Sequence, residues 1–300
     1  MDKAQQIESI ISRDIGDRGI GKIATFYRGG LHEAIASIVS LNSPSIAILT
    51  GFYIPFCDQP AAETDGPIGA AFMYHALQEL GIPVVVITDH LCANVVKGAI
   101  QSLPNVKEGN ILVAKDLSGK WEADFWNEVN TSVETNVTHL ISIERPGRAK
   151  NDKYYNMLGR DLSDYIEPLD LLLPFCLSKK VKVISIGDGG NEAGMGVIDQ
   201  NLIKKHVPNG GVIQSVISCD YIIVTGVSNW GGFAVSALLI HYFKKNISAL
   251  LNAELHHNIL RIIVEKNHAI DGVIKERIFK VDGLDELIHE KIISDIVAVF

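Results

Sequence analysis

The sequence predicts an α/β fold: a mainly parallel central sheet of five or more strands, covered by helices, with a site at the carboxyl ends of the strands. Three observations predict it. Five short runs of Ile, Val and Leu are apolar on both strand faces, as expected of a sheet buried between helix layers. Segments with helical apolar spacing alternate with them. Each run ends in glycine, acid, amide or arginine, and ligands of open parallel sheets bind beyond those ends.

Composition sets the outer bounds. The chain has 300 residues, 47% hydrophobic and 21% charged, which suits a globular protein with a sizeable core. No repeat or low-complexity linker divides it, so residues 1–300 read as one domain. A net charge of -8 argues against nucleic-acid or anionic-membrane partners, since both need a basic face. The four cysteines, Cys57, Cys92, Cys176 and Cys219, form no C-x-x-C pair, so neither a zinc ribbon nor a disulfide framework is expected. No apolar run approaches the ~20 residues of a membrane span, and the polar N-terminus carries no export signal. A cytoplasmic protein is the expectation, and a homo-oligomer is compatible with it.

Residues 2–13 read as a helix. Gly16 to Lys22 imitates a phosphate-binding loop, but Ile23 stands where Ser or Thr would hold magnesium, and no strand precedes it. Leu31 to Leu41 is helical, and Ser45 to Thr50 is the first strand. The loop after Gly51 carries three prolines and ends at Asp65-Gly66-Pro67, which reads as the start of a helix running to Leu80, with Asp65 as cap. A second reading adds that the amides there hold a substrate carboxylate or phosphate. Gly81 to His90 gives the second strand, apolar until Thr88, followed by a helix from Leu91 to Leu103. Ile111 to Ala114 reads as a short strand, and residues 121–130 as a helix packing Trp121, Phe125 and Trp126.

Thr138 to Ile143 is the next strand and opens into Glu144-Arg145-Pro146-Gly147-Arg148-Ala149-Lys150, the most cationic loop of the chain. After a helix over Pro168 to Leu177, the strand from Lys182 runs into Gly187-Asp188-Gly189-Gly190-Asn191-Glu192. Tyr221 to Thr225 is followed by a loop through Ser228 and Asn229 and a helix from Phe233 to Phe243. The tail holds helices near 253–267 and 284–299. Between them, two D-G turns bracket Ile274 to Lys280 as a short β excursion.

The Gly187 loop refuses a dinucleotide. Glu192 stands where the third glycine of G-x-G-x-x-G packs the helix, and acids there repel a pyrophosphate, so no nucleotide cofactor is expected. Acids at that place suit a cation or an ammonium group. Asp188, Glu192 and Glu144 lie on neighbouring strand ends and offer oxygen ligands for one divalent cation, Mg, Mn or Ca. The competing reading has them capping helices and pairing with Arg145 and Arg148. His90, His139 and His241 stand as lone histidines near apolar runs, a setting in which structural roles prevail.

The motifs Glu63-Thr64-Asp65-Gly66-Pro67, Ile143-Glu144-Arg145-Pro146-Gly147-Arg148, Tyr155-Asn156-Met157, Gly187 to Gly196, Asp271-Gly272-Val273 and Val281-Asp282-Gly283 together resemble the D-glutamate cyclase family, in its C-terminal domain. The resemblance runs from about Asp17 to Gly283. It implies a carbon–oxygen lyase that dehydrates D-glutamate to 5-oxo-D-proline, and archaeal relatives imply a divalent metal in an acidic cavity. The N-terminal domain of the animal enzymes is not expected in a chain of this length. Within this reading Asp188 or Glu144 accepts the ammonium proton. Arg145, Arg148 or a metal on Asp188 and Glu192 neutralises the attacked carboxylate, the amides at the helix start of Asp65 and Gly66 hold the α-carboxylate, and Asn191, Ser228 and Asn229 orient the substrate. Two alternatives use the same residues: a metal-dependent hydrolase or isomerase of a small phosphorylated or carboxylated metabolite, and a non-catalytic amino-acid-binding module.

Overall fold

Six strands form the central sheet: β1 (Ile46–Thr50), β2 (Val84–Asp89), β3 (Ile111–Ala114), β4 (His139–Ile143), β5 (Lys182–Gly187) and β6 (Tyr221–Val224). In the computed structural model, which describes residues 2–106 and 108–300, they are all parallel, in the order β3-β2-β1-β4-β5-β6. The chain leaves β1 toward one edge and returns through β4 toward the other. The loops on either side of that reversal part and leave a crevice at the carboxyl ends of β1 and β4.

Alternation along each strand builds the two cores. Ile46, Ile48, Val84, Val86, Ile141, Ile143, Ile184 and Ile186 face a thick helix layer that includes Pro67–Glu79 and Ser228–Tyr242. Ala47, Leu49, Val85, Ile87, Leu140 and Val183 face a thinner one, where Trp121, Phe125, Trp126 and Leu169 to Cys176 pack. Strands covered on both faces need apolar residues at every position, which is why these runs read as continuous rather than alternating. No helix among the described residues is long and apolar enough to cross a membrane.

Two elements differ from the sequence expectation. The helix expected from Phe233 begins at Ser228, with Gly231 and Gly232 inside its second turn. Glycine is a poor helix former, but a Cβ on Gly232 would lie 2.6 Å from Gly69 Cα, so the pair is what lets two buried helices meet backbone to backbone. The expected β excursion over 274–280 is instead a two-stranded hairpin, Lys280–Val281 against Leu284–Asp285, turning on Asp282-Gly283. Asp271 explains the shift. Its carboxylate accepts from the amides of Val273 and Ile274 and, at 2.7 Å, from that of Gly283, so the first D-G segment is a turn that braces the second.

Candidate functional site

The crevice is walled by the segments leaving the carboxyl ends of β1, β4, β5 and β6. Glu144, the first residue after β4, has a φ of +44°, a left-handed conformation that costs a non-glycine residue free energy. Its Oε2 accepts from Ser228 Oγ at 2.6 Å, which ties the β4 end to the β6 end. The loop after β5 is shaped from within. Glu192 turns back so that Oε1 accepts from the amides of Asp188 (3.0 Å) and Gly189 (2.6 Å), and Oε2 from that of Gly190 (2.7 Å). Gly190 has a φ of +89°, the conformation this wrap requires. At Gly187 the group that leaves no room for a Cβ is the loop's own Glu192 carboxylate, whereas at Gly189 it is the Asn191 amide and at Gly190 the Ile203 side chain.

Asp65 and Asn229 exchange caps. Asp65 lies before the helix Pro67–Glu79, yet its oxygens accept from Ser228 N (3.0 Å) and Asn229 N (2.8 Å), the first amides of the helix Ser228–Tyr242. In return Asn229 Oδ1 accepts from Gly66 N (2.9 Å) and Gly69 N (2.7 Å). Each helix start thus has its orphan amides satisfied by the other's side chain. Of the amides expected at residues 65–67 to hold a substrate carboxylate, that of Gly66 already has Asn229 Oδ1 and Asp65 Oδ1, and Pro67 has no N–H to give; Asp65 caps a different helix from the one it precedes.

The cation of the site comes from the segment that imitates a phosphate loop. Asp14 accepts from the amides of Arg18, Gly19 and Gly21, so the groups a phosphate would use are taken by a carboxylate of the same loop. This presents Arg18, whose Nη2 donates to Asp188 (2.7 Å), Asp282 (2.8 Å) and the Gly226 carbonyl (2.9 Å). A cavity of about 290 Å³ opens beside it, lined by Glu63, Glu144, Asp188, Asn191, Glu192 and Asp282 among others. Phe52, Ile54, Met157 and Val273 give it an apolar rim, with Lys275 on its edge.

Glu63, Asp65, Glu144, Asp188, Glu192 and Asp282 crowd one guanidinium. Burial raises the pKa of Asp188, against the pull of Arg18. Burial also raises Glu63 well above the carboxylate range, helped by Asp282 and Asp65, and raises Glu144, helped by Asp188 and Glu192. Asp65 rises for the same reason, and Asp282 is pushed up to about 7. Burial alone would lower Arg18, but Asp188 and Asp282 hold it firmly charged. An excess of buried carboxyl groups over cations is costly, and a bound positive charge relieves it.

Two overlapping groups have oxygens close enough to share one ion: Glu144, Asp188 and Glu192, and Asp65, Asp188 and Asp282, each with ligand atoms within 4.8 Å of one another. The donors are all oxygen, which favours a hard divalent cation such as Mg, Mn or Ca over zinc. Asp188 is common to both groups.

Over residues 7–297 the chain matches the family described as D-glutamate cyclase-like, C-terminal. The protein belongs to that family. It is also 34% identical over 247 residues to the Homo sapiens protein named "D-glutamate cyclase, mitochondrial", a match that covers 79% of this chain and 38% of that protein. The chain therefore spans well under half the length of that relative.

Against this D-glutamate cyclase-like fold the expected site residues divide into three. Asp188, Glu144, Glu192 and Asn191 line the cavity together. Asp65, Gly66, Ser228 and Asn229 form the layer that holds those acids, through the exchanged caps and the Ser228 hydroxyl. Arg145 and Arg148 lie elsewhere. Arg145 is fully buried and donates to Asp89 Oδ2 (2.5 Å), Gly51 O (3.1 Å) and Glu167 O (2.6 Å). Arg148 grips Asp170 through Nε at 2.9 Å. The expected cationic wall is thus structural, and each arginine supplies the positive charge opposite a fully buried acid, Asp89 or Asp170. His139 begins β4 at the opposite end of the sheet, so it is remote from the cavity.

Sequence reasoning missed Arg18, Glu63 and Asp282. A signal existed for each: Glu63 and Asp282 sit inside motifs that carried the family resemblance, and any set of buried acids requires a cation from somewhere.

Proposed function

We propose that the protein is a divalent-cation-assisted lyase that cyclises D-glutamate to 5-oxo-D-proline with loss of water. The observation that carries the reading is the set of carboxyl groups gathered around Arg18 at the strand ends, in a chain of this family. Asp188 is the ligand shared by both possible cation sets. When bound, the cation supplies charge neutralisation at an oxygen of the carboxylate under attack.

The chain's own groups supply the rest. The acids attract the substrate ammonium, while Arg18 and Lys275 are the cavity's positive charges for its carboxylates. Glu144, steadied by Ser228 Oγ, is the proton carrier. The amine nitrogen attacks the γ-carboxyl carbon, forming the C–N bond, and a carboxyl C–O bond breaks. Nitrogen loses two protons in becoming the lactam N–H, and both leave with the departing oxygen as water. A single carboxyl that takes and returns protons therefore closes the cycle without a net acid or base. The apolar rim of Phe52, Ile54 and Met157 excludes bulk water, which favours loss of water over addition.

The test is direct. Protein stripped with chelator is given D-glutamate with Mn²⁺, Mg²⁺ or Ca²⁺, and 5-oxoproline is measured chromatographically. Product is expected with at least one cation and should fall at least a hundredfold without it. No product under any condition removes the lyase reading. Thermal stabilisation by D-glutamate without turnover would instead support a binding module.

A further inference from the structure

We propose that the seam between the helices Ala253–Glu265 and Glu286–Val297 is a second cation site, formed by His256, Glu286 and Glu290 and suited to a borderline transition ion such as Zn²⁺. It shares no residue with the acidic cavity.

Three observations meet there. A ring nitrogen of His256 and one oxygen each of Glu286 and Glu290 lie within 4.8 Å of one another. Glu286 and Glu290 stand one turn apart on a single helix, so both carboxylates project from the same face toward the neighbouring helix. His256 is fully buried, and neither of its ring nitrogens has a hydrogen-bond partner. A neutral imidazole carries one donor and one acceptor, and burying both unmet is costly.

The direction of the ring is what turns this into a site. Nδ1 lies 4.0 Å from Glu286 Oε1, too far for a hydrogen bond and close enough for both atoms to reach one ion with a small side-chain adjustment. The ring cannot swing out to solvent, because Phe233 meets it edge-on at 6.0 Å and His289 stacks on it at 5.6 Å. His289 is itself fixed by Trp230 Nε1, which donates to its Nδ1 at 2.9 Å. On the outer side His257 Nδ1 lies 2.9 Å from the same Glu286 Oε1 and orients that carboxylate. One imidazole and two carboxylates, with water completing the shell, suit zinc or cobalt, whereas the strand-end cavity offers oxygen alone.

An ion here would clip the two C-terminal helices together. The helix Glu286–Val297 directly follows the hairpin that carries Asp282, so the clip would also brace one wall of the cavity.

Chelator-treated protein is titrated with Co²⁺ and Zn²⁺, following cobalt d–d absorption, stoichiometry by calorimetry, and Tm. Glu286→Gln and Glu290→Gln change partly exposed side chains and should leave the fold intact. The expected result is a saturable site with visible cobalt bands and a rise in Tm. Each substitution should weaken affinity at least tenfold, while Asp188→Asn leaves this site unchanged. The proposal is overturned if neither carboxylate substitution alters cobalt or zinc binding. It is equally overturned if Asp188→Asn abolishes all of it.

Discussion

Replacing Asn229 with alanine tests the exchanged caps. Asn229 is fully buried and makes three bonds: Oδ1 accepts from Gly66 N at 2.9 Å and Gly69 N at 2.7 Å, and Nδ2 donates to Thr64 O at 3.2 Å. Alanine leaves the Gly69 amide and the Thr64 carbonyl without their partner, while Gly66 N keeps Asp65 Oδ1 at 3.0 Å. Each unmet buried group costs about 1–3 kcal/mol, and some relaxation is expected, so the loss should be about 2–4 kcal/mol. With an unfolding entropy of about 2.1 cal/mol/K per residue, that corresponds to a fall in Tm of about 3–6 °C for a chain of this length. Urea denaturation followed by far-UV circular dichroism, with a thermal scan, measures both. Asn229→Asp keeps the oxygen but loses the Thr64 donor and adds a carboxyl beside Asp65, so it should recover only part of the stability. A loss below about 1 kcal/mol for the alanine variant would refute the reasoning, because the Gly69 amide and the Thr64 carbonyl would then have another partner.

Three further outcomes are expected. Asp188→Asn should weaken Mn²⁺ binding at least a hundredfold by calorimetry and abolish 5-oxoproline formation; retained binding would remove Asp188 as the shared ligand. Arg145→Met should cost about 3–5 kcal/mol in urea because it strands Asp89, with cation affinity unchanged; a tenfold loss of affinity would put Arg145 back in the site. Burial pushes the pKa of His139, and of His289, down from 6.5 to about 4. Between those values the unfolded chain binds protons that the folded chain refuses. Each histidine's own contribution is therefore full above 6.5 and declines as pH falls toward 4, by about 3 kcal/mol across the window, while the raised carboxyl groups around Arg18 slope the other way. Urea midpoints of the wild type and of His139→Gln at a series of pH values should therefore differ by that slope, and a difference that does not change with pH would contradict it.

The sheet was legible because its signals are local. A strand covered on both faces needs a continuous apolar run, and a polar cluster at its end marks where the layers stop. The acids at Glu144, Asp188 and Glu192 could be placed together for the same reason, since parallel neighbours end side by side. The partner of a charge was not legible. Arg145 and Arg148 look like free cations in a loop, and only packing reveals that Asp89 and Asp170 lie beneath them. Arg18 is the reverse case: its glycine-rich surroundings suggest a failed phosphate loop, and nothing nearby in sequence shows that its partners lie at Asp188 and Asp282. The early start of the helix at Ser228 was hidden by Gly231 and Gly232. Their cost in helix propensity is set against a close contact with Gly69 that exists only once both helices are docked.

The bond from Arg18 to Asp282 joins residues 264 positions apart, and this has a consequence for the order of folding. Contacts of such long separation carry a large loop-closure cost and form late relative to local helices and neighbouring strands. The acidic pocket can therefore gain its guanidinium only after segments near both extremes of the family domain have settled on the sheet. Until then, its carboxyl groups have only water, protons or stray cations to balance them. In refolding from urea, recovery of high-affinity Mn²⁺ binding should lag behind the return of helical ellipticity. The step that completes the electrostatics of the site is then among the last in its formation.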